Sequence, residues 1–176
     1  MEQFLKSVER RAFRMAEIAT RSRDDALDLL QDAMLEFVRA YGHKPVEQWK
    51  PLFYRIVQNK IRDWGRRSKV RKIFVTLLPS RRHGEDREDA DPLQTIRDPD
   101  TPDPYRGAKT GEAIRRLEAV LRDLPPRQQQ VFLLRVWEGL SVNETAIAMG
   151  CSQGSVKTHY SRAMNTLQEG LKDTWP

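Results

Sequence analysis

Between Ala146 and Arg162 the residue types and their spacing suit contact with a nucleic acid. Ala146 is small, Gly150 follows four positions later, and Val156 six after that. A helix-turn-helix needs such a set: a small residue where the helices cross, one that tolerates a left-handed backbone at the turn, and an apolar residue to lock the angle. Met149 and Cys151 can fill the crossing, and Ser152 can cap the second helix. That helix then offers Ser155, Lys157, Thr158, His159, Ser161 and Arg162, suitable donors for phosphates and base edges. The plain alternative is an ordinary helical hairpin. Cys151 reads as a small core residue rather than a nucleophile, because no acid–base pair is evident beside it. His159 is far in sequence from His43 and His83, and paired-cysteine spacing is absent, so no zinc set is expected. No other metal and no cofactor is expected either.

These side chains need helices to hold them. Upstream, "GEAIRRLEAVLRDL" puts Ile114, Leu117, Leu121 and Leu124 on one side, and "PPRQQQVFLLRVWEG" is a second helix with proline in its first turn, where no amide donor is required. Three further helices fit the first seventy residues. Phe4, Val8, Met15, Ile18 and Ala19 form one stripe. Leu29, Leu30, Ala33, Phe37 and Val38 form the next, with Ser22 as its cap. After the "GHKP" break, Trp49, Phe53, Ile56, Val57 and Trp64 can pack inward while the Arg and Lys face out. No strand-period segment of useful length and no internal repeat occurs. The expected fold is all-α: two small helical domains, over 1–70 and 111–176, joined by a linker over 71–110.

The net charge of +6 is uneven. Residues 1–70 carry 15 Lys/Arg against 10 Asp/Glu, 71–110 carry 8 against 8, and 111–176 carry 8 against 7. A basic first domain points to a polyanion, most simply nucleic acid, or else to a solvated surface. The acids of the middle stretch lie between Glu85 and Asp103, among Pro79, Pro92, Pro99, Pro102 and Pro104. That composition suits a linker; "EDREDADP" lacks the spacing and the glycine of a calcium loop. Every apolar run is interrupted by charge, so no membrane span is expected. The N-terminus lacks a signal-peptide core, and with the single Cys151 this suggests a reducing cytoplasm.

"GLS…A…G…S…SVKTH" resembles both the reading domain of LuxR-type regulators and region 4 of bacterial sigma factors. "LPPRQQQVFLLRVWEGLS" also suits the latter. A LuxR-type response regulator would carry a receiver domain of alternating strands and helices with clustered carboxylates, and the first seventy residues show neither. They resemble region 2 of the sigma-70 family, in particular its short extracytoplasmic-function group. In this resemblance "DALDLLQDAMLEFVRAY" is similar to the segment that binds a coiled coil on the largest subunit of core RNA polymerase, and "LFYRIVQNKIRDWGRR" to the helix that melts and reads the promoter -10 element. The family's second domain also meets the polymerase flap.

What the resemblance implies can be placed on residues. Asp28, Gln31, Asp32 and Leu35 share a helix face and would bind polymerase; a partly acidic face suits a protein better than DNA. Asn59, Arg62, Asp63, Trp64, Arg66 and Arg67 would serve the -10 element. Basic residues can follow a separated strand, and Asp63 falls where base selection is expected. Trp64 can stack on a base or sit in the core, and its apolar neighbours favour the core. Lys157, Thr158, Ser161 and Arg162 match positions that read the -35 element, and Ser155 a phosphate contact. His159 and Met164 stand where the family usually has Arg, and Ile147 where it usually has Glu, so fewer fixed charges should weaken phosphate binding. The acidic linker would thread the polymerase channels, mimicking nucleic acid. The implied protein is a transcription initiation factor and not itself a catalyst, with core RNA polymerase, promoter DNA and an anti-sigma factor as partners. The alternative is a stand-alone helix-turn-helix regulator of duplex DNA. A nuclease would need clustered carboxylates inside a folded domain.

Overall fold

The computed structural model describes the backbone of residues 1–77 and 104–172 and the side chains of residues 1–70 and 112–172. The described residues are helical without a strand. In chain order they form α1 (Glu2–Thr20), α2 (Arg23–Tyr41), a short 3-10 turn (Val46–Gln48), α3 (Trp49–Leu77), α4 (Pro104–Asp123), α5 (Pro126–Phe132), a π-helical turn (Leu133–Trp137), α6 (Val142–Met149) and α7 (Gln153–Leu171). Helices α3 and α4 reach into both ends of the stretch read as linker, and the "EDREDADP" run lies outside the described residues.

Local chemistry sets the helix ends. Ser22 caps α2 by accepting from the Asp25 amide, and Asp24 and Asp25 place negative charge at the positive end of the helix dipole. α1 stops at Arg21, which takes a left-handed conformation (φ 59°). Pro126 opens α5, where its missing N–H costs nothing.

Helices α1, α2 and α3 pack around an aromatic cluster. The Phe4 ring lies 5.5 Å from both Phe37 and Trp49, and Phe37 meets Phe53 edge-on at 5.6 Å. The Trp49 indole N–H donates to the Lys44 carbonyl at 2.7 Å, which fastens the "GHKP" turn to the start of α3. Val8, Met15, Ile18, Leu29, Leu30, Ala33, Phe37, Trp49, Phe53, Ile56 and Val57 are buried as their spacing predicts. Phe4 and Ala19 are half-buried against them.

Three stripe residues depart from expectation. Val38 is 45% exposed and Ile114 52% exposed. Each sits at the margin of its stripe, where a neighbouring helix must arrive to cover it, and none among the described residues does. Trp64 is half-buried at the rim of the core rather than inside it.

In the second half Leu121, Leu124, Val131, Leu133, Leu134, Leu140, Met149, Val156, Ala163 and Leu167 are buried. Gln129 donates to the Leu121 carbonyl at 2.8 Å, tying α5 to α4. The π-helical turn continues α5 without a break. Its amide bond from Glu138 back to Leu133 spans five residues. Each π turn admits one extra residue, which turns every following side chain by roughly 100°. The two halves meet where α6 packs on α3 and α4 on α1.

Candidate functional site

The helix-turn-helix is formed by α6 and α7. Ser141 caps α6 through a reciprocal pair: its hydroxyl accepts from the Glu144 amide at 3.2 Å, and the Glu144 carboxylate accepts from the Ser141 amide at 2.7 Å. These bonds, the side-chain one first, hold the Glu144 pKa below its ordinary value. The turn is left-handed at Gly150 (φ 60°, ψ 47°). The Cys151 amide donates to Ala146 and the Gly150 amide to Ile147, a pairing that closes the helix end. Arg127 donates to the Met149 carbonyl at 2.9 Å and so braces the turn from α5.

Ala146, Met149 and Val156 are buried at the crossing, as their spacing implies. Cys151 is half-buried against the core. Ser152 caps α7, accepting from the Ser155 amide at 3.1 Å. Along α7, Lys157, Thr158, Ser161 and Arg162 are exposed, whereas Ser155 and His159 are half-buried. The Ser155 hydroxyl lies 2.9 Å from that of Ser152, and Thr158 donates to the Gly154 carbonyl at 3.1 Å. Gln153, exposed at the start of the same helix, receives no assignment from the sequence. Its amide donates to the Asn143 side chain at 3.2 Å. The N-terminal residues of such a helix are the ones that reach base edges, and that position was the available signal.

The second set lies on α3. Asn59, Arg62, Arg66 and Arg67 are exposed; Asp63 and Trp64 are half-buried. Asp63 accepts from Arg66 at 2.8 Å, and Arg67 donates to the Asp63 carbonyl at 3.3 Å. The basic residues therefore form a ridge along the helix with a carboxylate in its midst.

The third set lies on α2. Asp28, Gln31, Asp32 and Leu35 are all exposed on one face, and Leu35 is 57% exposed. Lys60 of α3 bridges to Glu36 at 3.0 Å and to Asp32 at 3.7 Å. A cleft of about 300 Å³ runs between the two helices, with Asp28, Asp32 and Lys60 on its walls together with Trp64 and Arg67. The α2 face and the α3 ridge thus share one depression, which spacing along either helix alone does not reveal.

With this geometry in place, the relatives are informative. Residues 114–167 match the family described as Sigma-70, region 4. The RNA polymerase sigma-E factor of Streptomyces coelicolor is 32% identical over 152 residues, which cover 84% of this chain and 72% of that protein. The ECF RNA polymerase sigma factor SigM of Mycobacterium tuberculosis is 30% identical over 166 residues, covering 92% of this chain and 72% of that protein. Among solved structures, the sigma factor RpoE of Bartonella quintana, crystallised with the anti-sigma factor NepR, superposes with a TM-score of 0.62. That likeness, at 22% identity over 97% of this chain and 96% of the other, is one of fold. Because the similarity to SigM spans nearly the whole chain and not the helix-turn-helix alone, the chain belongs to the extracytoplasmic-function sigma factors of the sigma-70 family.

Proposed function

We propose that the chain is a transcription initiation factor that binds core RNA polymerase, directs it to promoters through the -10 and -35 elements, and assists promoter melting. The observation that carries this reading is the presence, in one chain, of an exposed recognition helix at one end and a basic ridge beside an acidic face at the other. In this reading Lys157, Thr158, Ser161 and Arg162 contact the -35 element, with His159 and Ser155 at its edge. Asn59, Arg62, Arg66 and Arg67 follow the separated strand at the -10 element. Asp63, together with Trp64 on the cleft wall, meets its bases. Removing a base from the stack costs a few kcal/mol, so contacts made only by the extruded base favour opening.

Asp28, Gln31, Asp32 and Leu35 bind the coiled coil of the largest polymerase subunit: the carboxylates seek basic partners, and Leu35 buries an apolar side chain. The second domain docks on the polymerase flap. An anti-sigma factor, such as the one crystallised with the Bartonella quintana relative, would compete for these surfaces. The setting is the bacterial cytoplasm, and the protein carries no catalysis of its own.

The test is binding of fluorescent promoter DNA at fixed salt, with and without core polymerase. The proposal expects weak binding by the free protein and strong binding by the complex. Tight, dimeric binding to paired half-sites without polymerase would instead establish a stand-alone duplex-binding regulator.

A further inference from the structure

The first turn of α7 carries two features that the fold itself does not require. Gln153, its first residue, is exposed, yet its side chain is held in place: the Nε2 amide donates to Asn143 Oδ1 at 3.2 Å. Asn143 is likewise exposed, on the first turn of α6, so the bond bridges the two helices of the motif at the surface. Exposed polar side chains ordinarily stay solvated and mobile, and a fixed one has already lost rotamer freedom. Gly154 follows. Its backbone is not left-handed, and a Cβ there would meet only the Ser152 hydroxyl oxygen, at 3.8 Å. Neither backbone geometry nor crowding within the protein calls for glycine at this position. What glycine leaves is room for another molecule to approach the backbone closely.

We propose that Gln153 reads an adenine at one end of the -35 element and that Asn143 is the positioning residue that aims it. The inference deepens the sigma-factor reading above and rests on it. In the major groove, adenine presents an acceptor, N7, beside a donor, the N6 amino group. A carboxamide matches this pair: Gln153 Oε1 accepts from N6, and one Nε2 hydrogen donates to N7. The second Nε2 hydrogen goes to Asn143, so the clamp and the base do not compete. Guanine would set its O6 against the Gln153 oxygen, since both of its groove atoms are acceptors. Cytosine offers a donor alone and thymine an acceptor alone, so each satisfies half of the amide.

Placement agrees with this role. The first residues of a recognition helix are those that reach base edges, while the preceding helix crosses the backbone. Gln153, Lys157 and Ser161 follow at four-residue steps and are exposed on one face. One such step advances about 6 Å, close to two base-pair steps at about 3.4 Å each. The adenine therefore lies within about two base pairs of the one that faces Lys157. Gly154 lets the end of the helix enter the groove with no side chain between backbone and bases. Asn143, on the helix that crosses the backbone, keeps its own amino group for a phosphate. A side chain ordered before binding loses less freedom on binding, which strengthens the contact.

The test uses the full-length protein with core polymerase. Genomic fragments bound by the parent complex are sequenced. One is chosen, its upstream element is randomised, and the pool is reselected with the parent, Gln153→Ala, Asn143→Ala and the double variant. The parent should enrich adenine at one position near an end of the element. Gln153→Ala should lower that preference by about tenfold or more, the discrimination a bidentate contact provides, and leave the preferences at other positions in place. Asn143→Ala should lower it by a smaller factor and add nothing in the Gln153→Ala background, as expected for a residue that acts through Gln153. Replacing the adenine with 7-deazaadenine, which lacks the N7 acceptor, should weaken binding by the parent and spare Gln153→Ala. Both side chains are exposed, so the variants should melt with the parent. No adenine preference in the parent, an unchanged preference in Gln153→Ala, or equal weakening across all sequences would overturn the proposal; the last is the mark of a phosphate contact. Full preference in Asn143→Ala would overturn its positioning role. If the parent complex enriches no genomic fragment, the sigma-factor reading fails instead.

Discussion

Ser141 and Glu144 exchange hydrogen bonds across the first turn of α6, each side chain accepting from the other's amide. This reciprocal cap starts the helix that positions the recognition helix. Ser141→Ala should cost about 1 kcal/mol and lower the melting temperature by roughly 2–4 °C. Because the folded-state pKa of Glu144 is lowered from 4.5, its contribution is present above that ordinary value and is lost as pH falls through the lowered one. Thermal melts of the parent and Glu144→Gln between neutral and acid pH should therefore converge at the acid end. A gap that persists below the ordinary carboxylate range would show that charge is not the cause.

The turn at Gly150 makes a second prediction. Its left-handed backbone (φ 60°) is open to glycine and strained for other residues. Gly150→Ala should cost about 1–2 kcal/mol, and it should weaken -35 binding beyond what the lost stability explains, because the angle between α6 and α7 shifts. Unfolding curves and DNA titrations of the same variant separate the two effects.

By the resemblance in sequence, His159 stands where an arginine is expected in this family. His159→Arg should tighten promoter binding by the polymerase complex and steepen its dependence on salt by about one phosphate, a slope change near 0.9. Lys157→Ala should flatten the slope by a similar amount, weakening binding across sequences if Lys157 touches only phosphate. Titrations at several salt concentrations give both slopes.

Leu35 is more than half exposed on α2 and contributes little to the fold. Leu35→Asp should leave the melting temperature nearly unchanged while reducing affinity for core polymerase by tenfold or more, as expected from losing about 1.5–3 kcal/mol of apolar burial. Phe37→Ala, two residues on, on the opposite side of the helix and fully buried, should do the opposite: a loss of about 3–5 kcal/mol in stability. Competition for polymerase and thermal unfolding, measured on both, distinguish a binding residue from a core residue on the same helix.

How much could be read in advance follows from the range of each interaction. The stripes of α1, α2 and α3 apart from Val38 and Trp64, the Ser22 and Ser152 caps and the Gly150 turn are local patterns, and each stands where its spacing places it. Val38 and Ile114 sit at stripe edges, where exposure depends on which helix arrives from elsewhere in the chain. The π-helical turn at Leu133–Trp137 leaves no mark in hydrophobic period, so "VFLLRVWEG" reads as ordinary helix. Lys50 donates to the carbonyl of Glu138, 88 residues away, and Arg11 lies 3.8 Å from the Glu138 carboxylate; nothing in the spacing of these residues forecasts their meeting. The α2–α3 cleft is likewise invisible in either helix alone, although both sets of residues that flank it were legible.

The central claim concerns initiation, and mapped transcript ends test it most directly. Purified core RNA polymerase is incubated with genomic DNA fragments, with and without this protein, and RNA 5′ ends are mapped. The account predicts defined new start sites that share two spaced upstream elements, lost with Lys157→Ala/Arg162→Ala and with Arg62→Ala/Arg66→Ala. An unchanged set of starts, with no complex formed between the protein and core polymerase, would contradict it.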